Sequence, residues 1–193
     1  NNFLTDCDKL IVLGVGNELK SDDGSKIAAA IVPDDENVED KLKKDGVPVG
    51  SVGIGHTRWA THGEPSVPNA HPHCNEDRSI AVVHNGIIEN YRELKDELIK
   101  GGCVFESDTD TEVIAQLLEK NYQGDFLSAA MKTLSRLEGS YAVAVLCRDC
   151  PGKIFCSRWG SPIVLAETKK GNLISSDVTS LLDYTDEIYK LDG

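Results

Sequence analysis

Tyr141-Ala142-Val143-Ala144-Val145-Leu146-Cys147 is an apolar run of strand length, and beyond the turn signal Pro151-Gly152 a second run covers 153–158. Further short runs over 162–166, 172–176 and 187–191 are separated by turns such as Lys169-Lys170-Gly171. Strands joined by so few residues pair antiparallel, because a parallel pair needs a long crossover. Working back toward the N-terminus, the apolar period changes to that of helices. Tyr91, Leu94 and Leu98 mark one helix, ended by Gly101-Gly102. Val113, Ile114, Leu117 and Leu118 mark a second, and Phe126, Ala130, Leu134 and Leu137 a third, closed by Gly139. Before them, Ile80-Ala81-Val82-Val83-His84 reads as a strand stopped by Asn85-Gly86. Strands, then clustered helices, then hairpins predict an α+β fold with antiparallel sheets. A doubly wound parallel sheet would place a helix between successive strands.

The 193 residues suit a single domain, and 40% hydrophobic content is ordinary for a chain with a core. Thirty-two acidic against twenty basic side chains leave a formal charge of −12, which repels a polyphosphate, so nucleic acid is not an expected partner. No apolar stretch approaches the roughly 20 residues of a membrane helix, and nothing near Asn1 resembles an export signal. Six cysteines are too few for a disulfide framework at this length, so reduced thiols and a cytoplasmic setting are expected. Toward the start, Leu10 to Gly16 and Ile27 to Val32 read as buried strands, and the polar stretch 33–50 as a surface loop with a short helix. Residues 51–79, rich in His, Thr, Gly and Pro without periodicity, read as a long irregular stretch that carries function.

Three clusters have chemical potential. In His56-Thr57-Arg58-Trp59-Ala60-Thr61-His62-Gly63, a guanidinium between an aromatic and hydroxyls suits bidentate capture of a carboxylate or phosphate; packing of Arg58 on Trp59 in a surface loop is the plain alternative. His84-Asn85-Gly86 reads either as a hairpin turn or, since a helix start follows it, as two donors converging on a developing negative charge. In Ser107-Asp108-Thr109-Asp110-Thr111-Glu112, Thr109 and Glu112 fit a capping box, whereas Asp110 is surplus to it and suits a ligand ammonium. Cys147-Arg148-Asp149-Cys150 has the spacing of half a zinc site, but only Cys156 follows and no metal is expected there.

Gly55-His56-Thr57-Arg58-Trp59-Ala60-Thr61-His62-Gly63, Val83-His84-Asn85-Gly86-Ile87-Ile88-Glu89-Asn90 and Asp108-Thr109-Asp110-Thr111-Glu112-Val113 occur in this order and spacing. Together with Asn69-Ala70-His71-Pro72-His73 and Arg158-Trp159-Gly160-Ser161-Pro162, they resemble the glutaminase domain of the glucosamine-6-phosphate synthases (glutamine–fructose-6-phosphate aminotransferases). These are class II glutamine amidotransferases with an N-terminal nucleophile. The resemblance runs over about residues 53–193. It implies an N-terminal nucleophile hydrolase fold, an αββα sandwich of two antiparallel sheets between helical layers. It also implies hydrolysis of the L-glutamine side-chain amide to glutamate and ammonia through a thioester, without a cofactor, feeding amino-sugar synthesis from fructose 6-phosphate. Carried over, Arg58 grips the glutamine α-carboxylate and Asp110 its α-ammonium, Asn85 and Gly86 form the oxyanion hole, and Trp59, Thr61 and His62 shape the pocket.

The expected organisation is one glutaminase-like domain over 1–193, with 51–193 the well-matched core and 1–50 an atypical opening. The family's nucleophile is a cysteine at the first position of the mature chain, its α-amine acting as base. Here Asn1 stands first and Cys7 lies about where the nucleophile belongs, so removal of Asn1 to Asp6 would expose it. Without that step, little glutaminase activity is expected. Leu10 to Gly24 is similar instead to the opening of hydrogenase maturation endopeptidases, in which the residue at Asp23 binds nickel; Gly14-Val15-Gly16 alone is a weak nucleotide-loop signal. The alternatives to an active glutaminase are therefore a glutamine-binding regulatory module and, more remotely, a metallopeptidase-like fragment. L-Glutamine is the expected small-molecule partner; no sugar-phosphate isomerase half is expected within the chain, and a homodimer is left open.

Overall fold

The computed structural model describes residues 15–20, 26–30, 52–56, 66–168, 171–182, 184–185 and 187–192. Its centre is a four-stranded antiparallel sheet in the order β4-β5-β6-β7: β4 His73–Cys74, β5 Ile80–Ile88, β6 Gly139–Cys147 and β7 Phe155–Trp159. β5 and β6 pair over all nine residues, from Ile80 with Cys147 to Ile88 with Gly139. The alternation of side chains along a strand then decides the layers. Ile80, Val82 and Ile88 of β5, with Val143, Val145 and Cys147 of β6, face three helices: α1 Tyr91–Lys100, α2 Glu112–Asn121 and α3 Phe126–Leu134. Ala81, Val83 and Leu146 face the other way, onto Val52 and Ile54 of β3 (Val52–Ile54) and onto Ile154.

On that second face lie the remaining strands. β8 Val164–Thr168 pairs antiparallel with β9 Gly171–Ser175 and with β10 Ile188–Lys190, and Val164, Ala166 and Leu181 form a small core of their own. β1 Val15–Lys20 and β2 Lys26–Ala30 are antiparallel, and β2 runs parallel to β3. The architecture is α+β, with a helical layer, an antiparallel sheet and further strands behind it. It bears out the strands, helices and hairpins expected over 80–191. Among the described residues no helix is long and apolar enough to cross a membrane.

Three local expectations need correction. Asn85-Gly86 does not stop β5, which continues to Ile88, because β6 offers a partner for each residue and Gly86 adopts φ +119°. α3 ends at Leu134, and Leu137 packs on the core from beyond the helix. The irregular stretch 51–79 contains two short strands, β3 and β4. The expected helix within 33–50 and the start of the first strand at Leu10 lie outside the described residues.

Candidate active site

The C-terminal half of β5 divides two environments between adjacent residues. His84, 4% exposed, sits on the helical face, and Asn85, half-buried, on the β3 face. Gly86 follows with a backbone that admits no side chain: a Cβ there would lie 2.1 Å from the Ser140 carbonyl oxygen. Two residues further on, the Ile88 N–H donates to Asp110 Oδ2 at 2.8 Å. With the contact of Thr111 Oγ1 to His84 Nδ1, this hydrogen bond brings the 107–112 segment to the end of β5 that carries Asn85 and Gly86. Asp110 is 3% exposed, and its Oδ1 makes no hydrogen bond among the described residues.

The 107–112 segment is fixed by a chain of hydrogen bonds whose directions follow from the groups involved. The Glu112 carboxylate accepts the N–H groups of Glu106, at 2.9 Å, and Ser107, at 2.7 Å, together with the Ser107 hydroxyl. Having given its one proton to Glu112, Ser107 Oγ can only accept from Thr109 Oγ1, 3.1 Å away. Thr109 Oγ1 in turn accepts from His73 Nε2 at 3.0 Å, which fixes the proton on that nitrogen. Thr111 Oγ1 lies 3.1 Å from His71 Nε2 and 2.9 Å from His84 Nδ1, and with one proton to give it can donate to at most one of the two imidazoles. The expected Thr109–Glu112 capping box is not formed. Thr111 is the N-cap, its hydroxyl makes no capping bond, and both threonine hydroxyls serve histidines instead.

On the β3 face, His56 Nε2 is 2.6 Å from Asn85 Oδ1. The His56 ring rests on His71 with centroids 4.2 Å apart, and His71 meets His73 edge-on at 4.8 Å. Burial pushes the His84 pKa down to about 4; His56 adds to the fall, while Asp110 and the Ser140 backbone oppose it. His84 is therefore a neutral ring at pH 7.

The structure thus brings Asn85, Gly86 and Asp110 together. Cys7, Asp23, Arg58, Trp59, Thr61 and His62 lie outside the described residues. The histidine and hydroxyl groups around this site were not read from the sequence as site groups. A signal was present: all five histidines fall between His56 and His84, and hydroxyls alternate at Ser107, Thr109 and Thr111. The five described cysteines offer no activated thiol. Burial pushes Cys147 up to about 12 and Cys74 to about 11, and it raises Cys103, Cys150 and Cys156 as well. No group of three or more His, Cys, Asp or Glu side chains among the described residues is placed to hold a metal ion.

Comparison with known proteins places the chain in a family. The glutamine amidotransferase domain family matches residues 56–183, which include β5, the 107–112 segment and most of the hairpins. The chain belongs to the glutamine amidotransferase domain family. Glutamine–fructose-6-phosphate aminotransferase (isomerizing) of Clostridium acetobutylicum is 49% identical over 153 residues, 79% of this chain and 25% of the relative. The enzyme of the same name from Caldanaerobacter subterraneus is 51% identical over 156 residues, 81% of this chain and 26% of the relative. The chain thus spans about a quarter of the curated relatives it matches. Among solved structures, the glutamine phosphoribosylpyrophosphate amidotransferase of B. subtilis superposes with a TM-score of 0.59 at 22% identity, over 74% of this chain and 32% of that one. This likeness carries the fold, which is that of the N-terminal nucleophile amidotransferases.

Proposed function

We propose that this domain binds L-glutamine and hydrolyses its side-chain amide to glutamate and ammonia, and that in a full-length protein the ammonia serves glucosamine 6-phosphate synthesis from fructose 6-phosphate. The observation that carries this reading is the hydrogen bond from Ile88 to Asp110, which sets a buried carboxylate beside Asn85 and Gly86. Asp110 receives the substrate ammonium and Arg58 its α-carboxylate, through two parallel N–H donors. Trp59, Thr61 and His62 line the pocket between them. The Asn85 side-chain N–H and the Gly86 backbone N–H stabilise the oxyanion that forms when a thiolate attacks the amide carbon. Cys7 is the nucleophile once its own amine is freed to act as base. Burial raises the pKa of each of the other five thiols, which disfavours the thiolate there and supports that choice. The cytoplasm, where thiols stay reduced, is the setting such chemistry needs.

Calorimetry and glutamate release test this together. L-Glutamine should bind, N-acetylglutamine should not, and Arg58→Lys should weaken binding at least tenfold (about 1.4 kcal/mol), since an ammonium cannot reproduce the planar fork. Glutamate release should track the fraction of chains that mass spectrometry finds beginning at Cys7, and should vanish in Cys7→Ala. Equal binding of N-acetylglutamine overturns the pocket, and activity that survives Cys7→Ala overturns the nucleophile. Tight glutamine binding without release from processed chains would favour a regulatory binding module.

A further inference from the structure

We propose that His56 is the positioning residue of the oxyanion hole: its imidazole sets which way the Asn85 amide faces. The proposal rests on the glutaminase reading above and adds to it a residue for which that reading has no role. An Asn amide has nearly the same shape in two orientations related by a 180° turn, and they differ in which of Oδ1 and Nδ2 occupies a given place. For an oxyanion the difference decides the sign of the interaction. With Nδ2 inward the amide donates a hydrogen bond to the developing charge, and with Oδ1 inward a lone pair opposes it. Backbone pairing of Asn85 with Ala142 fixes the face of β5 on which the side chain lies, but not the turn of its amide.

His56 supplies what the sheet cannot. The contact is to Oδ1, at 2.6 Å, and a carbonyl oxygen only accepts, so Nε2 carries the proton. The turned amide would set its N–H groups against that N–H, replacing a hydrogen bond with a repulsion between donors. Nδ2 is thereby left as the end of the amide available to substrate. The imidazole is itself held, stacked on His71 at 4.2 Å, whose Nε2 meets Thr111 Oγ1 on the helical side. A positioning group of this kind acts on the transition state and leaves substrate affinity nearly unchanged.

The test is a double-mutant cycle in glutamine hydrolysis by chains processed to Cys7, with NMR of the imidazole nitrogens beside it. Removing one oxyanion donor costs ~10²–10³ in kcat. Asn85→Ala should show that loss, and His56→Leu at least about a tenfold loss in kcat, with KM within about threefold of wild type. His56→Leu should cost nothing further in the Asn85→Ala background. His56→Gln, which restores an N–H donor, should recover most of kcat. In the uniformly 15N-labelled chain, His56 Nε2 should be protonated, and its slowly exchanging N–H signal should be lost in Asn85→Ala. Additive losses, a rise in KM without a fall in kcat, or no recovery in His56→Gln would overturn the proposal. If His56→Leu does not fold, His56→Gln and the NMR comparison decide it. A wild-type chain that hydrolyses no glutamine overturns the functional reading instead. The NMR comparison then judges the pairing alone, and a Nε2–H signal unmoved by Asn85→Ala rejects it.

Discussion

Gly86 lies where the backbone leaves no choice of residue. Its φ of +119° is one that side chains rarely adopt, and a Cβ would meet the Ser140 carbonyl at 2.1 Å, well inside contact distance. Gly86→Ala should therefore lower unfolding free energy by at least ~1–3 kcal/mol, the usual cost of a strained backbone, with the clash added. Urea titration would measure it; a variant as stable as wild type would mean that β5 and β6 part freely at this pair. His84, two residues earlier on the same face of β5, gives a pH signature. Its pKa of about 4 lies below the value of about 6.5 for an unfolded histidine, so between these the unfolded chain binds the extra proton. Stability should fall on acidification through this window, at up to ~1.4 kcal/mol per pH unit from this group, and the loss should level off below about pH 4. The difference between wild type and His84→Asn isolates it. A difference that does not vary with pH would place the ring in solvent.

At the scale of elements, the start of α2 is held through its N-cap hydroxyl rather than by capping. Thr111 Oγ1 spends itself on His71 and His84, buried groups whose ring nitrogens lose a partner if it goes. Thr111→Val should cost ~2 kcal/mol or more, because an unmet buried polar group costs ~1–3 kcal/mol, whereas Thr111→Ser should cost under about 1. Chemical denaturation of the pair would show whether the hydroxyl or the methyl matters. These same residues mark where the sequence stops being readable. α1 and α2 could be read from apolar spacing alone, since Leu94, Leu98, Val113, Ile114, Leu117 and Leu118 are all buried on one core. The end of β5 could not. Asn85-Gly86 is a local turn signal, and it is overridden by β6, whose partner residues lie more than fifty positions away. Likewise Thr109 and Glu112 match a capping box locally, yet His73, 36 residues from Thr109, takes the hydroxyl. Asn85, Gly86 and Asp110 were legible as motif residues. The histidines paired with Asn85 and Thr111 were not, because polar pairing across 27 to 40 residues leaves no periodic trace.

At the scale of the whole molecule, an excess of negative charge carries an electrostatic cost. A net charge of −12 repels itself, and the described ion pairs, such as Glu97 with Arg136 and with Lys120, lie at the surface, where such pairs contribute little. Raising NaCl from about 20 to about 200 mM, which shortens the screening length to under ~10 Å, should therefore raise the Tm. A fall on adding salt would mean that the surface pairs outweigh the global repulsion. The sheet order has a consequence in time as well as in energy. Fifty residues separate the end of β5 at Ile88 from the start of β6 at Gly139. At synthesis rates of ~5–20 residues per second, β5 emerges about 3–10 s before the strand that completes it. Before that interval ends a nascent chain contains Asn85, Gly86 and Asp110, but not the Ser140 carbonyl that lies against Gly86. The geometry at the end of β5 is thus completed only when Ser140 and its strand have been made, fifty residues after β5 itself.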